Sequence, residues 1–274
     1  MSLLDISQQL TIYIGLFLLI FGVLGNSLNV LVFSSARTYR TTPCTFYFLI
    51  SSIANIGFLL INLTSRVVSV GFNFDLGQTS VHWCRARQYF IGVFSLISFT
   101  CSSLASIDQY FVTSKHVHFR RLSNIEYAYR ITLLIFTISC LHAIPCLIYY
   151  DISPVTKTCV LVNSAYAKYI PIYSLSLTCF GPIIVMIVFS YLAHQNIQST
   201  RVLAEQQAGR QLRKMTLFHV VLVIVVILPY SINVIYLLKT AGDFKDTNRL
   251  INESFASTVM ALLTYVYYAV SSFA

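Results

Sequence analysis

Long apolar stretches alternate along this chain with short segments that hold its charged residues. An α-helix rises about 1.5 Å per residue, so about 20 apolar residues cross the roughly 30 Å of hydrocarbon in a bilayer. Seven stretches reach this length without a charged side chain: 6–36, 41–65, 88–107, 131–150, 169–200, 215–238 and 254–274. They predict membrane-spanning helices at about 9–35, 44–71, 82–113, 129–150, 168–195, 211–239 and 250–273.

Other ways of placing this chain in a membrane fit the pattern less well. The alternating ten-residue segments of an outer-membrane barrel do not occur, and lipid does not tolerate irregular backbone with unpaired polar groups. The first uncharged stretch is much longer than the 7–15-residue core of a signal peptide, and it contains the polar Asn26 and Asn29. We therefore expect an all-α membrane protein that keeps its first helix.

The composition supports a membrane environment. Of 274 residues, 57% are hydrophobic and only 10% are charged, and the mean hydropathy is +0.74. A soluble domain of this size has too little interior for so many apolar side chains, and a disordered chain would be far more polar. We expect a multi-pass membrane protein.

The distribution of charge predicts the orientation of the chain. The predicted loops and helix ends on one side hold ten basic and three acidic residues, a net charge of +7, whereas the other side holds eight and six, a net charge of +2. Basic residues favour the cytoplasmic side. The N-terminus is therefore expected outside the cell, with the protein in the plasma membrane. The basic excess faces anionic lipid and gives no reason to expect nucleic acid as a partner.

The seven cysteines fall into two groups. Five lie inside or at the edge of predicted helices, where cysteine is typically a small buried hydrophobic residue. Cys84 and Cys159 lie on the predicted outer side, which is oxidising. Either they form a bridge that ties the loop between helices four and five across the mouth of the bundle, or they are two separate thiols.

The polar residues of the helices do not form a catalytic or metal-binding set. A membrane hydrolase needs paired aspartates, a His-Glu-x-x-His helix or a nucleophile with a base, and a proton-coupled carrier needs several buried acids. Asp108 is peripheral and His142 is isolated, so they supply none of these sets. We expect neither an enzyme nor a bound cofactor, and a seven-helix transporter is a less favoured alternative.

Several motifs occur in a fixed order along the predicted helices. They are Gly25-Asn26, Asn55 at the end of Ser52-Ile53-Ala54-Asn55, Cys84 placed 24 residues before Asp108, Asp108-Gln109-Tyr110, Pro182, Leu228-Pro229-Tyr230 and Ser271-Ser272-Phe273-Ala274. Over essentially the whole chain this order resembles the rhodopsin-like (class A) family of G-protein-coupled receptors. The run from Arg210 through Pro229 is most similar to invertebrate FMRFamide and other neuropeptide receptors.

The resemblance implies a fold and a function. The expected fold is one rhodopsin-like bundle of seven helices over residues 1–274, with the chain ending within helix seven. The expected receptor binds an extracellular ligand and passes the signal to a heterotrimeric G protein through motion of helices five and six. The resemblance assigns coupling to Asp108, Gln109 and Tyr110, and it assigns helix switching to Asn26, Asn55, Pro182, Pro229 and Ser271.

The chain also departs from the family pattern, mainly in its inner half. Gln109 replaces the arginine of Asp-Arg-Tyr, and the neutral Asn55 replaces the carboxylate of a sodium site. Helix six keeps Pro229 of its motif but not the aromatic residues before it. A receptor-derived chain that no longer couples is therefore the main alternative.

Buried amides need partners, so we expect Asn26 and Asn55 to point toward Ser271. We expect Asp108 to lie near water and near Arg120 or Arg121.

The resemblance places the ligand in the outer half of the bundle. The expected lining residues are Arg66, Arg87, Gln88, Ile91, Tyr230, Val234, Ser257 and Tyr265. Ile91 stands where amine receptors of the family need an aspartate, and residues 254–274 lack the lysine that binds retinal in opsins.

A peptide is the expected ligand. Arg66, Arg85 and Arg87 give the mouth of the bundle a cationic character suited to carboxylates and carbonyl groups, unless they extend to lipid phosphate instead. The β-prone segment 158–162 lies where peptide receptors of the family form a hairpin over the pocket.

Overall fold

The computed structural model describes residues 2–35, 41–154, 157–198, 207–240 and 242–271. Within these ranges seven long helices pack side by side as a bundle. They are α1 (Leu3–Ser35), α2 (Pro43–Gly71), α3 (Val81–Thr113), α4 (Ile125–Tyr149), α5 (164–198), α6 (Gln207–Lys239) and α7 (Thr247–Val270). Two short helices, Leu76–Thr79 and Val117–Leu122, lie in the connections before and after α3.

Six helices of the described part, all except α7, are long and apolar enough to cross a membrane. α7 carries the charged Arg249 and Glu253 near its start. Apolar side chains on the outer surface of the bundle remain exposed, as in Leu28 of α1 and Leu133 of α4, which are 60% and 68% exposed. These are the faces that contact lipid tails in a membrane.

The helix starts differ from those expected from charge alone. α1 begins at Leu3, before the predicted start at residue 9, because Ser2 and Asp5 cap it reciprocally. The Ser2 amide donates to Asp5 Oδ2 over 2.9 Å, and the Asp5 amide donates to Ser2 Oγ over 3.2 Å. α7 begins at Thr247 rather than 250. Its predicted end at 273 lies outside the described residues.

Two helices contain wide, π-helical turns. In α2 these are Leu59–Leu63 and Val67–Gly71, and in α5 the segment is Ser174–Phe180. The α5 segment ends directly before Gly181 and Pro182. Because proline has no N–H to donate, the regular hydrogen-bond ladder cannot continue through Pro182, and the backbone widens before it.

The interior divides into two apolar clusters. The larger lies between α2, α3, α5, α6 and α7, and its fully buried members are Leu59, Leu63, Met186, Val223, Ile227, Tyr267 and Tyr268. The smaller joins α2, α3 and α4 around Cys44, Phe48, Cys101 and Ala105. Together they fix the relative positions of the helices that surround the cavities described below.

A short hairpin connects α4 and α5. Its strands β1 (Tyr150–Ile152) and β2 (Cys159–Leu161) are antiparallel, with Asp151 opposite Val160. The hairpin confirms the strand expected at 158–162. A disulfide between Cys84 and Cys159 ties β2 to the start of α3, so the open choice between a bridge and two separate thiols is settled in favour of the bridge.

Candidate functional site

The half of the bundle on the side of the Cys84–Cys159 bridge, which we call the outer half, contains a cavity of ≈ 290 Å³ between α2, α3, α5, α6 and α7. Six of the eight residues expected to line a ligand pocket do line it: Arg66, Arg87, Gln88, Ile91, Tyr230 and Tyr265. The geometry thus brings together side chains from four helices that are far apart in sequence.

The other two expected pocket residues, Val234 and Ser257, do not line the cavity. Its wall on α6 is formed by Ile227 and Tyr230, and on α7 it begins at Ala261. Val234 and Ser257 therefore lie one helical turn farther outward, since four residues make about one turn. Ser257 instead accepts a hydrogen bond from Asn233 Nδ2 over 3.2 Å. The cavity thus lies one turn deeper than these two residues.

Other residues that line the cavity were not predicted from the sequence. The missed residues include Phe58, Asn62, Ser95, Phe99, Thr264 and Tyr268. Helical spacing could have found them. Phe58 and Asn62 precede Arg66 by eight and four residues, and Ser95 and Phe99 follow Ile91 by four and eight, so they share a helix face with residues already chosen.

The two cavity arginines point inward. Arg87 Nη2 donates to Asn62 Oδ1 over 3.0 Å, so the alternative that Arg87 extends to lipid phosphate is wrong. Tyr265, which is 4% exposed, interacts electrostatically with both Arg66 and Arg87. The Nε atoms of both arginines are buried and have no hydrogen-bond partner among the described residues.

Arg85 has a different role from the two cavity arginines. Its Nε donates to the carbonyl oxygen of Tyr150 over 2.8 Å, and its Nη2 lies 3.3 Å from Asp151 Oδ2. Arg85 thus holds β1 to the top of α3, beside the Cys84–Cys159 bridge. A disulfide and an ion pair together position the hairpin at the outer end of the bundle.

Below the cavity, a network of neutral polar groups joins four helices. Asn55 Nδ2 donates to Ser271 Oγ over 2.8 Å and to Asn26 Oδ1 over 3.3 Å, and Asn55 Oδ1 accepts from Ser98 Oγ over 2.6 Å. Asn26 Nδ2 also donates to the Tyr268 carbonyl over 2.9 Å. Asn55 reaches Ser271 as expected, whereas Asn26 bonds Asn55 and the Tyr268 carbonyl instead. These hydrogen bonds offset the cost of burying the two amides.

Aromatic rings fill the space around this network. Tyr267 stacks on Phe99 with 4.6 Å between ring centroids, and its hydroxyl lies 3.0 Å from Ser102 Oγ. Phe58 stacks on Tyr268 at 3.7 Å. These rings come from α2, α3 and α7, and α6 adds the aliphatic Val223 and Ile227 and the ring of His219, whose centroid lies 6.4 Å from that of Tyr267.

Asp108 does not have the surroundings expected from the sequence. It is only 4% exposed, and no ion pair involves it in the part of the chain that the structure describes. Its partners are the Cys44 amide and the Ser123 hydroxyl. The expected pairing with Arg120 or Arg121 was wrong, because the side of α3 that carries Asp108 packs against the first turn of α2.

Gln109 and Tyr110 connect α3 to the neighbouring inner helix ends. Gln109 is 5% exposed and lies, like Thr216 of α6, beside the Cys44 thiol. It also borders an inner cavity of ≈ 310 Å³ between α3, α5 and α6. Tyr110 packs against Phe189 of α5, with 5.6 Å between ring centroids. The inner ends of α2, α3, α5 and α6 therefore meet around Gln109 and Tyr110.

Comparison with known proteins agrees with this architecture. The family model described as 7 transmembrane receptor (rhodopsin family) matches residues 25–272. A comparison with curated proteins gives no match. The family match covers nearly the whole bundle, from the Gly25-Asn26 motif of α1 through Ser271 at the end of α7. The chain belongs to the rhodopsin family of seven-transmembrane receptors, a family of multi-pass membrane proteins that are not enzymes and that signal through G proteins.

Proposed function

We propose that this receptor binds the end of an extracellular peptide in the outer cavity and activates a heterotrimeric G protein through motion of α5 and α6. One observation carries this proposal. Tyr230, which lines the cavity, follows Pro229 on α6, and the same helix presents Thr216 beside Gln109 at its inner end. A ligand that displaces Tyr230 acts on a helix weakened at Pro229 and therefore changes the inner contact.

The outer surface favours a peptide over a smaller enclosed ligand. Arg85 and the disulfide fix the hairpin at the outer end of α3, and an extended peptide can pair with a β-strand edge. The cavity is at the small end of the range for ligand sites, so it accommodates only the terminal part of a peptide. The segment from Arg210 through Pro229, which resembles that of invertebrate neuropeptide receptors, also supports a peptide ligand.

The orientation proposed from charge fits the same scheme. With the N-terminus outside, the hairpin and its disulfide face the oxidising exterior, and Asp108 to Tyr110 face the cytosol. The ligand cavity then opens outward in the plasma membrane, and the inner cavity lies where a G protein docks.

Nucleotide exchange tests this function. Membranes containing the full-length receptor and one of several G proteins are supplied with a pooled library of synthetic peptides, and GTP-analogue uptake is measured. We expect uptake that depends on the peptides, is reduced in Arg87→Gln and is unchanged in Lys168→Gln, which removes an exposed charge on the same side. Peptide binding without exchange for any G protein would instead favour the receptor-derived chain that no longer couples.

A further inference from the structure

A second chamber adjoins the outer cavity. It has a volume of ≈ 130 Å³, and it shares Gln88, Ile91, Ser95, Ser174 and Thr178 with the cavity wall. Its remaining lining comes largely from α4, α5 and the first residue of the hairpin. One ligand end can therefore reach both spaces, placing one group in the main cavity and another in the side chamber.

The main cavity is positively charged. Arg66 and Arg87 both line it, and no residue that lines either space is acidic. Asp151 and Glu253, on the same side of the bundle, are engaged with Arg85 and Lys245, and neither Arg66 nor Arg87 forms an ion pair in the described part of the chain. Two guanidinium groups without a counter-charge attract an anion strongly in a site of low dielectric, and their unpartnered Nε donors add directed hydrogen bonds.

The side chamber is aromatic. Tyr166 and Tyr173 line it together with His142, whose ring lies 4.2 Å from that of Tyr173. Tyr173 is only 8% exposed, and its hydroxyl has no hydrogen-bond partner in the part of the chain that the structure describes. A buried hydroxyl without a partner costs free energy. The chamber therefore suits an aromatic ring that carries an acceptor for this hydroxyl.

We infer that the ligand end bound here carries a carboxylate next to an aromatic ring. The carboxylate sits between Arg66 and Arg87, and the ring enters the side chamber against Tyr173. This inference rests on the proposed function, since it takes the outer cavity as the ligand site. A ligand whose inserted group is a guanidinium or an amine meets two like charges in this cavity and no acid to pair with.

Three matched small molecules test the charge requirement on the unaltered protein. They are 3-phenylpropionate, 3-phenylpropionamide and 3-phenylpropylamine, each titrated into the purified full-length receptor in lipid nanodiscs while its thermal unfolding is followed. We expect saturable stabilisation by the acid, binding of the amide weakened about tenfold or more, and no binding of the amine. Propionate, which lacks the ring, should also bind more weakly than 3-phenylpropionate.

Four variants, one of them a control, locate the binding. Arg66→Gln and Arg87→Gln should each weaken binding of 3-phenylpropionate about tenfold, while Lys168→Gln, an exposed residue outside both spaces, should leave it unchanged. Tyr173→Phe should remove any preference for 3-(4-hydroxyphenyl)propionate over 3-phenylpropionate. Each variant is used only if its unfolding temperature without ligand matches that of the parent, and the comparison of acid with amine needs no variant.

The inference is overturned if the amine binds as well as the acid, or if Lys168→Gln is as harmful as Arg87→Gln. Its failure is distinct from failure of the proposed function because binding is measured without a G protein. Acid binding with no nucleotide exchange contradicts coupling alone. Peptide-dependent exchange with no acid binding contradicts the ligand class alone.

Discussion

The carboxylate of Asp108 accepts a hydrogen bond from the backbone amide of Cys44, with 3.0 Å between Oδ2 and the nitrogen. Cys44 is the second residue of α2, and Thr42 does not cap this helix with its own side chain. Asp108 therefore caps α2 from α3, where its negative charge also favours the positive end of the helix dipole. Its Oδ1 accepts from Ser123 Oγ over 2.6 Å, which ties in the loop that follows α3.

Removing this cap should destabilise the inner end of the bundle. Asp108→Ala leaves the Cys44 amide and the Ser123 hydroxyl without their acceptor, and we expect the free energy of unfolding to fall by about 2 kcal/mol. Asp108→Asn should cost less, because the amide oxygen still accepts one hydrogen bond. Thermal unfolding in nanodiscs measures both, with the exposed Glu126→Ala as control. Equal unfolding temperatures for Asp108→Ala and Glu126→Ala would contradict the capping role.

The neutral network around Asn55 should reject a carboxylate. Asn55→Asp removes the two donors that serve Ser271 and Asn26 and puts a negative charge beside the Asn26 oxygen. Because no cation is among the partners of this side chain, we expect Asn55→Asp to lower the free energy of unfolding by about 3 kcal/mol at neutral pH. Asn124→Asp is the control, since Asn124 only accepts a bond from the Glu126 amide at the start of α4. Unfolding temperatures that fall equally in both variants would show that burial of Asn55 is not the cause.

The Cys84–Cys159 bridge should contribute several kcal/mol. It closes a loop with a sequence separation of 75, which in the chain-entropy model corresponds to about 4 kcal/mol. We expect Cys159→Ser to lower the unfolding temperature strongly and to loosen the hairpin, whereas Cys140→Ser, which removes a free thiol in α4, should have little effect. Mass spectrometry of the unreduced protein that finds both thiols free would refute the bridge.

The number of helices could be predicted from charge alone because hydrocarbon excludes charged side chains so strongly. The helix ends could not be predicted in the same way. α7 begins with Arg249 and Glu253 inside the helix because Arg249 Nε bonds Glu253 Oε1 over 3.0 Å and Lys245 lies 2.6 Å from Glu253 Oε2. Charges that satisfy each other, or that lie at the aqueous edge, do not end a helix.

The site was only partly predictable because sequence gives the face of a helix but not the depth at which helices leave a space. Tyr230 and Val234 share a face of α6, yet only Tyr230 reaches the cavity. Asp108 illustrates a second limit. Asp108 contacts the Cys44 backbone because α2 and α3 lie at a particular height relative to each other. The residue pattern of neither helix predicts that height.

Accessibility labelling should establish the orientation. With the N-terminus outside, an epitope tag in the loop near Asp243 should bind antibody on intact cells, since this loop joins α6 to α7 on the side of the disulfide. A tag near Lys115, between α3 and α4, should bind antibody only after permeabilisation. The reverse pattern would invert the topology and would also place the bridged cysteines in a reducing compartment.

Gln109 should control coupling rather than ligand binding. It is buried beside Cys44 and Thr216 at the inner end of the bundle, whereas the ligand cavity lies in the outer half. In Gln109→Arg the longer, charged side chain cannot keep this neutral contact, but the inner cavity of ≈ 310 Å³ next to it gives the guanidinium room to turn toward the cytosol. A guanidinium there makes stronger, charge-assisted hydrogen bonds to a docking G protein than an amide does. We therefore expect nucleotide exchange to rise several-fold while binding of 3-phenylpropionate stays unchanged.

Gln88→Arg is the control because it places the same charge in the outer cavity. It should alter the binding of 3-phenylpropionate without raising nucleotide exchange. Unchanged exchange in the full-length Gln109→Arg receptor would mean that coupling does not use this position.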